Sequence, residues 1–101
     1  MSQLSRNNCR SVVYHVFLAD GWLPAGTTPQ TWDKVTMADI DFDDPALPGD
    51  PDFQKKAVDA QLQTAFLRLG ARVPSAMALL KDGTKTLGDL SQWYFDSQVS
   101  L

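Results

Sequence analysis

Asp50-Pro51 opens, and Gly70 closes, an apolar-periodic span that constrains the fold of this chain more than any other feature of its sequence. Aspartate is a favoured N-cap because its carboxylate accepts one of the first backbone N–H groups of a helix. Proline at the next position gives up a donor that has no intrahelical partner there. Asp52 adds negative charge against the positive end of the helix dipole. Val58, Leu62, Ala65, Phe66 and Leu69 then recur at helical spacing, with Lys55, Lys56, Asp59, Gln63 and Arg68 mostly on the outer face. The pattern predicts a helix over 51–69, with Gly70 as the left-handed residue that ends it.

Three shorter elements are built around this one. Cys9, Val12, Val13, Val16 and Phe17 recur at helical spacing and predict a first helix over about 5–20, which Gly21 stops. Pro24, Gly26 and Pro29, with Thr27 and Thr28 among them, forbid a continuous helix or a central strand, so 21–49 reads as a long ordered loop. Trp22, Leu23 and Trp32 lie in that loop and should tuck back onto the core, because large apolar groups left in water forgo about 1.5–3 kcal/mol each. Arg72-Val73-Pro74 is extended, Ser75 is placed to cap a short helix over 75–81, and Asp82-Gly83 ends it. Thr86 with Asp89 three residues on approximates a capping box for a last helix over 86–96, whose apolar face is Leu87, Leu90, Trp93 and Tyr94. Whether Trp22, Trp32 and Trp93 are all core, or one marks an exposed contact, stays open at this stage. The expected fold is all-α: one small four-helix bundle over 1–101 with a long ordered loop between its first two long helices.

Composition narrows the function classes. With 101 residues, 44% of them hydrophobic and 21% charged, the chain can bury one core without disulfides or metal. Nine Lys and Arg against twelve acidic residues give a net charge of -3, which disfavours nucleic acid as partner. The lone Cys9 cannot form an internal disulfide and fits a reducing compartment. The first residues lack the basic and apolar regions of a signal peptide, and no stretch approaches membrane-spanning length, so a cytoplasmic protein away from membranes is expected.

Catalytic patterns are missing from the sequence. His15 is the single histidine, and Cys9 falls roughly 240° from it around a helix axis, so no Cys–His pair is expected. No phosphate-cradling glycine loop, nucleophile elbow or metalloprotease motif occurs. The chain is therefore expected to have no catalytic residues, no cofactor and no metal, and not to be an enzyme.

The charge pattern shifts sharply over 39–52. Asp39, Asp41, Asp43, Asp44, Asp50 and Asp52 make up half of all the acidic residues, and no Lys or Arg interrupts them. Alternate carboxylates invite a calcium loop, but Asp44 stands where that loop needs glycine, Asp50 has a shorter arm than the usual glutamate, and Pro45 and Pro48 break the turn. A solvated acidic surface is the plainer expectation.

The C-terminal half resembles an acyl carrier protein. Phe66-Leu67-Arg68-Leu69-Gly70-Ala71-Arg72-Val73-Pro74 is similar to the end of that family's second helix and the loop after it, and Lys85-Thr86-Leu87-Gly88-Asp89-Leu90 to the entry into its last helix. Upstream, Val35-Thr36-Met37-Ala38-Asp39-Ile40-Asp41-Phe42-Asp43-Asp44 resembles the approach to the family's Asp-Ser-Leu attachment site, with Asp44 where the serine belongs and Pro45 where the leucine does. A second register aligns Gly49-Asp50-Pro51-Asp52-Phe53 with the same site and puts Asp52 at the serine position. Residues from about Pro45 to Gln54 read as an insertion, and the resemblance covers roughly 35 to 95.

A carboxylate cannot take the place of the serine hydroxyl that attacks coenzyme A, so the resemblance implies a carrier fold without its phosphopantetheine arm. It also implies that the acidic stretch and the start of the long helix meet a basic surface on a partner protein, through Asp39, Asp41, Asp43, Asp44, Asp50 and Asp52, with Phe42 and Phe53 as apolar anchors. Two alternatives stand beside this. The chain could carry an acyl or aminoacyl group on another serine, or be a small helical protein whose aspartates only solvate a loop and cap a helix. Ser75 in Pro74-Ser75-Ala76-Met77-Ala78-Leu79 superficially resembles an attachment motif, but too little chain follows it for the remaining helices.

Overall fold

A computed structural model describes residues 4–42 and 50–99. They form four α-helices: α1 Arg6–Ala19, α2 Pro51–Leu67, α3 Met77–Lys81 and α4 Leu87–Val99, with two single 3-10 turns at Trp32–Lys34 and Met37–Asp39. Among the described residues there is no strand; a lone antiparallel bridge joins Thr36 to Thr86. The architecture is a small all-α bundle in which α1 packs against both α2 and α4. No described helix is long and apolar enough to cross a membrane.

Each helix starts and stops for a reason visible in its sequence. Ser5 caps α1 by accepting from the Asn8 N–H at 3.1 Å. At its other end Gly21, at φ +72°, lets the Trp22 N–H reach the Phe17 carbonyl and the Gly21 N–H reach that of Leu18. This is the double closure of a Schellman motif, and it comes with the expected apolar contact, the Trp22 ring lying 6.1 Å from that of Phe17. Gly70, at φ +77°, closes α2 in the same way, with Ala71 N–H on Phe66 and Gly70 N–H on Leu67. The last residues of the predicted 51–69 helix are thus spent in its closing turn.

Two boundaries differ from expectation. Ser75 stands one residue before the N-cap position of α3, which Ala76 occupies; its Oγ still accepts from the Met77 N–H at 3.2 Å. At α4 the Thr86–Asp89 pair forms a full reciprocal box: Asp89 N–H donates to Thr86 Oγ1 and Thr86 N–H to Asp89 Oδ2, both at 3.0 Å. The helix then runs to Val99 rather than ending at 96.

The core is drawn from every element. Cys9, Val13 and Phe17 from α1, Val58, Leu62 and Phe66 from α2, Leu80 from α3, and Leu87, Leu90 and Tyr94 from α4 are closed to solvent. Trp22 and Trp32 are buried from the loop, as their size requires, and Leu23 is partly buried against the same cluster. Asp59 reverses its expected outward placement: it is 8% exposed and accepts from Gln63 Nε2 at 2.9 Å, Ser75 Oγ at 3.1 Å and the Ala76 N–H. Three donors offset the cost of burying its charge.

The loop is pinned to the start of α4. Met37 N–H donates to the Lys85 carbonyl at 2.8 Å and Leu87 N–H to that of Val35 at 2.9 Å. Two glycines permit this approach: a Cβ at Gly88 would stand 2.9 Å from the Asp33 carbonyl oxygen, and one at Gly83 would stand 3.3 Å from Ala38 Cβ. Gly88→Ala should therefore lower the free energy of unfolding by about 1–2 kcal/mol in urea titrations, although alanine outranks glycine in a helix by about 1 kcal/mol.

Candidate interaction surface

The acidic stretch begins where the loop leaves α4. Thr36 lies on the bridge to Thr86, and its Oγ1 donates to Asp39 Oδ2 at 3.0 Å across the second 3-10 turn. Asp39 and Asp41 are exposed, while Ile40 and Phe42 turn inward. From the end of that turn the side chains alternate, apolar residues inward and carboxylates outward.

Phe42 is therefore a correction to the expected surface. It is 7% exposed, 6.2 Å from the Trp22 ring, with the Lys55 ammonium 5.7 Å above its own. Burial of an aromatic ring outweighs its acidic neighbours, and Phe42 holds the segment to the core instead of reaching toward a partner. The Lys55 contact also ties the end of the segment to the first turns of α2.

At that helix start, the Asp50 carboxylate accepts from the Asp52 N–H at 2.9 Å, the N-cap bond read from the sequence. Asp52 is exposed and pairs with Lys81 Nζ at 3.2 Å, joining the start of α2 to the end of α3. An exposed pair of this kind contributes little to stability. Phe53 projects beside it and is 41% exposed. Asp43 and Asp44 lie outside the described residues.

The structure thus places Asp39, Asp41, Asp50, Asp52 and Phe53 at the surface, and removes Phe42 from it. No group of three metal-ligating side chains gathers among the described residues. Both readings of the serine position end on aspartate. Asp52 is a salt-bridged helix residue.

A second surface feature was not read from the sequence. Trp93 is half-buried, edge-on to Tyr94 at 4.6 Å, and lines an open groove of about 840 Å³ with Val73, Pro74, Leu79, Arg72 and Lys85. Of the three tryptophans it alone reaches solvent to this extent, since Trp22 and Trp32 are each 5% exposed. Periodicity assigned it to the apolar face of α4; the groove arises because 72–74 runs extended, fastened by Gln98, which accepts from the Arg72 N–H and donates to the Arg72 carbonyl.

The remaining reactive groups are placed for structure. His15 is exposed, and its Nδ1 donates to the Ser11 carbonyl at 2.7 Å. Cys9 is fully enclosed, and burial pushes its thiol up to about 11. Thiolate is the reactive form, so at pH 8 a disulfide reagent such as 5,5′-dithiobis(2-nitrobenzoate) should modify Cys9 only as fast as the protein opens. The rate should rise steeply across the urea transition; rapid reaction of the native protein would contradict the enclosure.

No protein-family model matches the chain, and no curated protein and no solved structure matches it.

Proposed function

We propose that the chain is a non-enzymatic interaction module that binds a protein with a basic surface through its acidic loop and the start of α2. In this reading it is an acyl-carrier-like bundle without the phosphopantetheine serine. The observation that carries it is Phe53: an exposed aromatic ring beside exposed Asp50 and Asp52, joined through the Phe42–Lys55 contact to the segment bearing Asp39 and Asp41. An apolar anchor with carboxylates around it suits a basic groove, where complementary charge speeds and orients encounter and the buried ring supplies residence.

The second reading, a carrier loaded on another serine, meets an obstacle at the one serine that resembled an attachment site. Ser75 Oγ already donates to Asp59 and accepts from the Met77 N–H. The two readings part on intact mass after incubation with coenzyme A and a broad-specificity phosphopantetheinyl transferase, with a known carrier protein alongside. The module should show no gain. A gain of one phosphopantetheine arm would establish the carrier.

A further inference from the structure

The first turns of α1 and the start of α4 enclose a polar pocket of about 250 Å³ that the acidic surface does not use, lined by Arg6, Asn7, Arg10, Gly88, Ser91 and Gln92. Arg6 and Arg10 are one helical turn apart and share a face. Each guanidinium lies over an aromatic ring, Arg6 5.2 Å from the centre of Phe95 and Arg10 5.0 Å from that of Trp32. Stacking fixes the plane of a guanidinium and leaves its N–H edges to meet something else.

Those edges are unequally used. Arg10 gives Nη2 to Asp33 Oδ2 at 2.8 Å, whereas Arg6 makes no hydrogen bond or ion pair among the described residues. Gly88 brings the first turn of α4, and its N–H finds no acceptor among the described residues. The dipole of this helix favours negative charge there. Of the nearby carboxylates, Asp33 holds Arg10 through Oδ2 while its Oδ1 is buried without a hydrogen-bond partner among the described residues, and Asp89 accepts from the Thr86 N–H. Ser91 Oγ donates to the Leu87 carbonyl and Gln92 Nε2 to Asp96.

We infer that this pocket binds the phosphate group of a small phosphomonoester. Arg6 would take it by its free edge, with Arg10 and the Gly88 N–H completing the donors. Donors arriving from two helices suit a group with three terminal oxygens. The small volume and the chain's net charge of -3 argue against a polyanion, whose further phosphates would meet an acidic surface.

The test is a two-dimensional NMR titration with inorganic phosphate and with methyl phosphate, at ionic strength held constant with sodium chloride. Saturable shifts are expected at the Gly88 amide and the Arg6 Nε–H with both probes. Arg6→Gln should weaken both by about tenfold or more, the scale of losing hydrogen bonds to a charged group. Arg6 is exposed, so that variant should keep the dispersed spectrum of the native fold. Lys34→Gln, outside the pocket's lining, should leave binding unchanged. A non-saturating drift that chloride reproduces would overturn the proposal, as would saturable binding indifferent to Arg6→Gln. Binding of inorganic phosphate without methyl phosphate would overturn the ester assignment in favour of a free ion.

Discussion

Phe66→Ala should lower the free energy of unfolding by about 3–5 kcal/mol, a large share of the roughly 5–15 kcal/mol that holds a domain of this size together. Phe66 is closed to solvent near the end of α2 and lies stacked on Tyr94 of α4, ring centres 4.2 Å apart and planes within 16°. Removing it deletes the stacking contact between the last turn of α2 and the middle of α4. The cavity would border a Tyr94 hydroxyl that is buried and has no hydrogen-bond partner among the described residues. Burial, and then the negative charge of Asp59, push that hydroxyl's pKa upward, as expected for a phenol kept neutral in a dry site. Urea unfolding followed by tryptophan fluorescence checks the prediction, with Phe66→Leu expected to recover more than half of the loss. A cost below about 1 kcal/mol for the alanine variant would mean that the stacked pair is not at the centre of the core.

Asp59→Ala is the second large effect, expected at about 3 kcal/mol. The carboxylate receives the Gln63 amide, the Ser75 hydroxyl and the Ala76 N–H, and the last of these is a buried backbone donor at the start of a helix too short to stand alone. Deleting the acceptor leaves that donor without a partner, and the cost of an orphaned group exceeds the net worth of the bond it made. Ser75→Ala removes one exposed partner and should cost only about 0.5–1 kcal/mol. The double variant should lose less than the sum, because the two side chains share one bond. Thermal unfolding should show Asp59→Ala melting on the order of 10–20 °C below the parent. A melting temperature within a few degrees of the parent would show that α3 is held by its apolar residues alone.

The elements were legible wherever a local device sets them. Asp50-Pro51, Gly21, Gly70 and the Thr86–Asp89 box each act within a few residues, and the structure uses each in the role its chemistry predicts. Placements that depend on distant partners were not legible. Asp59 sits among charged residues on what periodicity marks as an outer face, and only the return of the chain at 75–76 supplies its donors. Phe42 alternates with the aspartates around it, but its partners Trp22 and Lys55, far along the chain on either side, are what show that this face is core and not a docking surface. Gly88 belongs to a stretch read as a family resemblance, yet its local requirement is steric, the passage of the Asp33 backbone. The arginine pocket needs α1 beside α4, a pairing no spacing along one helix reveals.

Docking of a basic protein on Phe53 and the aspartates around it is the central proposal. Its most direct test is site-specific photo-crosslinking in the native cell, with a benzophenone amino acid at position 53 and, as control, at Leu67, which is 61% exposed and lies away from the acidic loop near the other end of α2. Position 53 should give a discrete adduct to a protein with a basic surface, diminished when Asp39, Asp41 and Asp52 are changed together to asparagine and when salt is raised in lysate. Equal labelling from 53 and 67, or an adduct at 53 indifferent to those aspartates and to salt, would contradict the account.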